Sequence, residues 1–226
     1  MRSLSPSDLL GRPLNGVEKK NAPHRLYVDG PMDTPLRPRR VSVVGTRRPT
    51  EEGVQETRAV SEMLVGEGVT VVSGLAAGID TTAHRTAIDA GGPTVAVLGT
   101  PLDQTYPRSN TGLQKEMAAS HLVVSQFPAG HPITKGNFVR RNKTMALISD
   151  ATVIVEAGDG SGTIHQGWET LRLGRPLFVC RAAAKAQPRW LDEMERYGAT
   201  VLTDHQDILY EIPLGIKLVD VFAKQT

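Results

Sequence analysis

The stretch KGNFVRRNK places Lys135, Arg140, Arg141 and Lys143 around Phe138 and Asn142, just ahead of an apolar helical run, TMALIS. Cations interleaved with an aromatic ring suit single-stranded nucleic acid, because the charges follow the phosphates while the ring stacks on a base. The same composition also fits an exposed basic helix start with Phe138 tucked into the core. Basic residues in the first turn of a helix oppose its dipole, so the placement is unfavourable unless an anion compensates. That asymmetry points towards a ligand. Arg47 and Arg48, in GTRRPT, add a second cationic group, a fork able to grip a phosphate.

Four glycine- and hydroxyl-rich stretches each follow an apolar, β-branched run. They are GTRRPT with Gly45, Thr46 and Arg47; SGLAAGID with Ser73, Gly74, Gly78 and Asp80; GTPLDQTYPRSN with Gly99; and EAGDGSGT with Glu156, Ser161, Gly162 and Thr163. Glycines permit positive φ and close backbone approach, and several N–H groups beside a helix N-terminus make an anion site. Tight-turn geometry would explain any one of these loops. Their recurrence suggests a phosphate-bearing ligand. Asp80 could accept a hydrogen bond from that ligand, although capping the following helix is the commoner use of Asp at such a position.

Other chemistry is less well supported. SGLAAG lacks the GxGxxG spacing and no GxxxxGK[ST] occurs, so neither a dinucleotide cofactor nor P-loop hydrolysis is expected. His84, His121, His131, His165 and His205 have no Cys partner in sequence and no HxxxH spacing, so no metal site is expected. Ser73, Ser161 and Thr163 are not in a G-x-S-x-G elbow and read as hydrogen-bonding groups, leaving no catalytic residue. No cofactor is expected.

These loops need a scaffold that brings them together. The runs VSVVG, VTVVSG, TVAVLG, HLVVS, ATVIVEAG, RPLFVC and ATVL alternate with stretches of helical periodicity at 51–67, 80–90, 113–119, 140–148, 163–173 and 190–197. Continuous apolar strands alternating with helices predict a single α/β domain, a doubly wound, mostly parallel, Rossmann-like sheet covered on both faces. Ligands of such a sheet bind beyond the carboxyl ends of its strands, where the four glycine loops emerge. Residues 1–37, rich in Pro, Gly and charge, read as an N-terminal arm with one edge strand in RLYVDG, and 38–226 as the Rossmann domain.

The chain has 226 residues, 39% of them hydrophobic, enough for one well-buried domain. Its formal net charge is +2 and its pI about 8.8, so attraction to nucleic acid must come from local clustering. One cysteine, Cys180, excludes an internal disulfide and reads as a small buried residue at a strand end. No apolar run is long enough to span a bilayer and no signal-peptide core is evident, so a cytoplasmic location is expected.

Taken together, GTRRPT, the long stretch from VVSGLAAGID to LDQTYPRSN, FPAGHPI, FVRRNKTMALIS and ATVIVEAGDGSGT resemble the core of the DNA-processing protein A family, DprA, also called Smf. The resemblance covers about residues 25–179. It implies an extended Rossmann fold, single-stranded DNA binding without catalysis, a homodimer, and help in loading a RecA-type recombinase onto DNA taken up in natural transformation. It also implies that Gly45, Arg47, Ser73, Gly74, Lys135, Phe138, Arg141 and Asn142 line a basic pocket for the strand. Two alternatives remain: a nucleotide-binding sensor, and a hydrolase like the LOG-type nucleotide phosphoribohydrolases, whose PGGxGTxxE loop is similar to GDGSGTIHQ. The hydrolase is disfavoured because Gln166 stands where that motif has its catalytic Glu, with Glu169 one turn later.

Overall fold

The computed structural model describes residues 1–185 and 187–213. Its strands are β1 (Arg2–Leu4), β2 (Leu26–Asp29), β3 (Arg40–Gly45), β4 (Thr70–Ser73), β5 (Thr94–Leu98), β6 (Leu122–Ser125), β7 (Ala151–Glu156), β8 (Leu177–Val179) and β9 (Ala199–Val201). The helices are α1 (Pro6–Leu10), α2 (Gly16–Lys19), α3 (Glu51–Gly66), α4 (Ile79–Asp89), α5 (Thr111–Ser120), α6 (Lys135–Ile148), α7 (Gly162–Arg172), α8 (Arg181–Ala184), α9 (Arg189–Arg196) and α10 (Asp207–Glu211). All strands join one sheet in the order β1-β2-β6-β5-β4-β3-β7-β8-β9. The seven strands from β6 to β9 across the sheet are parallel, and each corresponds to one of the seven apolar runs.

The apolar runs are continuous because their strands are covered on both faces. On one face, Val60 and Leu64 of α3 and Ile79 and Ala83 of α4 pack on Val41, Val43, Val71 and Val153. On the other, Met145, Leu147 and Ile148 of α6 meet Val44, Val72, Val97 and Ile154. The chain moves outward from β3 through β4, β5 and β6 in one direction and from β7 through β8 and β9 in the other. This reversal opens a crevice beyond the carboxyl ends of β3 and β7, where GTRRPT and EAGDGSGT emerge. A buried ion pair fixes the opposite end of those strands: Arg40 donates to Asp150 at 2.8 Å.

The first 37 residues are more closely attached than an arm. They add β1 and β2 to the sheet, both antiparallel, and β1 covers the RLYVDG strand that was expected at the edge. Leu9, Leu26 and Val28 are fully buried in the same cluster as Val72 and Val95. Glu18, 3% exposed, accepts from Arg12 at 2.6 Å and from Arg175 at 2.8 Å. The Arg12 hydrogen bond is the largest influence on its carboxyl, which is held down to about 2. A second difference lies in α6. It starts at Lys135, so KGNF forms its first turn rather than preceding the helix.

Candidate functional site

A cavity of about 470 Å³ lies at the crevice, walled by the chain from Val44 to Arg48, the loop and helix start from Gly158 to Thr163, and one face of α6. The first loop is held firmly. Thr46 donates its N–H to the Glu156 carbonyl at 2.7 Å, and the Thr50 N–H and hydroxyl donate to the Glu156 carboxylate at 2.9 and 3.1 Å. Glu156 therefore braces the start of α3 from behind and does not face the cavity. Arg47 and Arg48 are left exposed on a fixed turn. Opposite them, Ser161 caps α7, accepting from the Thr163 N–H at 3.2 Å, while the Thr163 hydroxyl donates to the Gly45 carbonyl at 3.2 Å. The N-terminus of α7 opens onto the cavity, where its dipole favours an anion.

The SGLAAGID loop is organised around Asp80, which does not cap α4. That position belongs to Gly78, at φ +78°, and Asp80 instead accepts from the Gly74 N–H at 3.1 Å and the Ala76 N–H at 3.3 Å. Ser73 is buried beneath, donating to the Val43 carbonyl at 2.7 Å. Arg141, only 5% exposed, reaches under the loop from α6. Its guanidinium donates to the carbonyls of Gly74 and of Val97, the latter at 2.8 Å, and to the Asn142 side-chain oxygen at 2.9 Å. Asn142 in turn donates to the Gly162 carbonyl at 2.9 Å. Gly74 is required by close approach, because a Cβ there would overlap the Arg141 guanidinium. Burial raises the Asp80 carboxyl above its usual range, with the Arg141 charge as the main opposing influence. Burial likewise lowers Arg141, opposed by Asp80.

The aromatic residue sits at the mouth. Phe138 is half-buried on Gly99, with the Tyr106 ring 5.2 Å away and inclined at 53°. The Arg47 guanidinium lies over the Phe138 ring at 5.7 Å, within cation–π range. Helical periodicity divides the basic stretch between two sides. Phe138, Arg141, Asn142 and Met145 share the cavity face, whereas Arg140 and Lys143 line a separate cleft of about 450 Å³ with Arg25 and Tyr27. Lys135 is exposed at the helix start and lines neither.

Of the residues singled out from sequence, Gly45, Thr46, Arg47, Asp80, Phe138, Arg141, Asn142, Ser161, Gly162 and Thr163 meet at the cavity wall. Gly74 lines an adjoining recess with Arg47, Tyr106 and Phe138. Ser73, Gly78, Gly99 and Glu156 form the supporting layer. Tyr106, 46% exposed, was missed; its signal was an aromatic residue in a loop leaving a parallel strand. Gln166, which the sequence marks only as a missing acid, is 1% exposed and walls the cavity, and its amide nitrogen has no partner among the described residues. Glu169 faces away, accepting from Arg172 at 2.6 Å and Asn21 at 3.1 Å. Burial would raise its carboxyl, but the Arg172 and Asn21 hydrogen bonds outweigh burial and its pKa lies below the ordinary value.

Fold and site define a doubly wound, Rossmann-type protein with a cavity at the switch point walled by glycine loops, the start of a helix and arginine side chains. Residues 12–213 match the family described as DNA recombination-mediator protein A, and the chain belongs to that family. It is 46% identical to Protein Smf of Synechocystis over 138 residues, 61% of this chain and 35% of that protein. The X-ray structure of DNA processing protein A from Streptococcus pneumoniae superposes with a TM-score of 0.80 at 31% identity, covering 94% of this chain and 75% of that one. DNA processing protein A from Helicobacter pylori, described for its single-stranded DNA binding mode, gives 0.74 at 26% identity, covering 95% and 94%. The chain spans between 35% and 67% of the length of the curated relatives it matches. Among the described residues no helix is long and apolar enough to cross a membrane.

Proposed function

We propose that the cavity and its rim bind single-stranded DNA, and that the protein acts in DNA processing during recombination. The observation that carries this reading is the group at the mouth: Arg47 over the face of Phe138, with exposed Tyr106 beside it. An aromatic ring beside a fixed cation can stack on an unpaired base while the cation meets its phosphate, whereas a duplex keeps its base faces covered. Family membership and the binding mode described for the Helicobacter pylori relative support the same assignment. Within this reading Gly45, Thr46 and Arg47, with Ser161, Gly162 and Thr163, contact phosphate. Arg141, Asp80 and Asn142 shape the wall from beneath.

The reading includes no catalytic step. Gln166 cannot act as a general base, and Glu169 is held by Arg172 and Asn21. A homodimer, contact with a RecA-type recombinase and a cytoplasmic location belong to the same proposal and rest on family membership. The test is a titration of labelled single-stranded DNA, blunt duplex and mononucleotides at two salt concentrations. We expect single strands to bind in preference to duplex, with a steep salt dependence. Equal affinity for duplex would refute the reading, and a shallow slope with competition by mononucleotides would replace it with a nucleotide sensor.

A further inference from the structure

Away from the cavity, three donors separated in sequence converge. Glu56 projects from α3, Cys180 follows the last residue of β8, and His205 lies in the connection between β9 and α10. Their carboxylate oxygen, thiol sulfur and ring nitrogen all lie within 4.8 Å of one another. None lines the cavity. We propose that Glu56, Cys180 and His205 bind a single zinc-class divalent ion that ties α3, β8 and the β9–α10 connection together.

Donor chemistry, geometry and charge support this. Thiolate and imidazole together select zinc-class ions over magnesium or calcium, which prefer all-oxygen sites. Tetrahedral zinc at its usual bond lengths holds donors about 3.4–3.7 Å apart, so closing the cluster needs small side-chain rotations, with one position left for water. Glu56 is already oriented, because the Ala182 N–H donates to one of its oxygens at 3.0 Å and leaves the other available. This is the kind of outer hydrogen bond that aims a ligand at a metal.

Charge balance favours the ion as well. A carboxylate, a thiolate and a neutral imidazole around a divalent ion sum to zero, which suits a site whose cysteine is fully buried. Nearby cations are otherwise engaged: Arg181 donates to the Thr203 carbonyl at 2.9 Å and Lys185 to Glu52 at 2.8 Å. A metal-bound cysteine is a thiolate, so binding releases the thiol proton to solvent. Sequence spacing conceals the site because its ligands come from three separate elements.

The test uses the untagged full chain, stripped with a chelator and titrated with cobalt(II) and then zinc. We expect one equivalent of cobalt to bind with a thiolate-to-metal charge-transfer band in the near ultraviolet, zinc to erase the band, and zinc to raise the melting temperature. Cys180→Ala should abolish the band. Changing an outer-shell partner typically costs about 10–100-fold in affinity, so losing a direct ligand in His205→Ala or Glu56→Gln should weaken zinc by at least about 100-fold. His205→Ala and Glu56→Gln lie outside the buried core and keep the test valid should Cys180→Ala fold poorly. Absence of the thiolate band in the wild type, or zinc affinity unchanged in His205→Ala, would overturn the assignment.

Discussion

Replacing Arg141 by Met separates a structural role from a DNA contact. The guanidinium makes three hydrogen bonds to the Gly74 and Val97 carbonyls and the Asn142 side chain, and it offsets the buried charge of Asp80. Hydrogen bonds of a charged group contribute about 1.5–3 kcal/mol each. Two of these share one nitrogen, so the lower end applies, and three at about 1.5 give roughly 4.5 kcal/mol. Breaking a buried charge pair independently suggests a loss of about 3–5 kcal/mol. We expect a loss in that range near neutral pH. Asp80 sets the pH dependence. Burial already raises its carboxyl, and without Arg141, the largest opposing influence, only the hydrogen bonds from Ala76, Gly74 and Ser73 are left to oppose that shift. A group whose pKa is raised by folding stabilises at low pH and loses that contribution as pH rises through the folded value. The deficit of Arg141→Met should therefore narrow on acidification, and Asp80→Asn in the same chain should remove this dependence. Urea denaturation at about pH 7 and pH 5 measures both effects. A deficit below about 1 kcal/mol, or one that widens in acid, would refute the account of Arg141 as the buried support of the SGLAAGID loop.

The rim behaves differently. Arg47→Ala should weaken all single strands about uniformly and reduce the salt slope by roughly one, whereas Phe138→Ala should cost about 1–3 kcal/mol with the slope nearly unchanged and little penalty on abasic DNA; both are read by fluorescence anisotropy after melting curves confirm folding. A stable Phe138→Ala protein that binds normal and abasic strands like the wild type would exclude stacking. His84, fully buried with its Nδ1 2.8 Å from the Thr94 hydroxyl, is lowered to about 3 by burial, then by the charges of His121 and Arg141. Its neutral form is the folded one, so its contribution is present above the unfolded value of 6.5 and lost as pH falls towards 3. His84→Gln should flatten the acid limb of stability in that window, as measured by thermal melts across pH. Incubation with nucleoside monophosphates should release no free base by chromatography; release that Glu169→Gln abolishes would restore the hydrolase reading.

The parallel strands were legible because burial on both faces leaves an uninterrupted apolar run, and their alternation with helices implied where the loops must gather. The start of α6 was not. Gly136 and Asn137 are poor helix formers, Thr134 gives no side-chain cap, and the turn is secured by contacts that propensity does not encode: Thr134 donates to the Asn137 side chain at 2.9 Å and Asn137 to the Pro132 carbonyl at 2.9 Å. Residue type marked Arg47 and Arg141 equally, but their work depends on depth. One is exposed over an aromatic face; the other is enclosed by carbonyls. Asp80 shows the same limit, since a helix-start Asp reads as a cap until the preceding loop is seen to curl back onto its carboxylate. A glycine that looks like turn punctuation can equally be the space a guanidinium occupies, as at Gly74. Composition and spacing therefore locate the loops that carry the chemistry. Which member of each loop faces a ligand and which holds the wall is decided by contacts between residues distant in sequence, and the two groups can be separated by asking whether a substitution moves binding or stability.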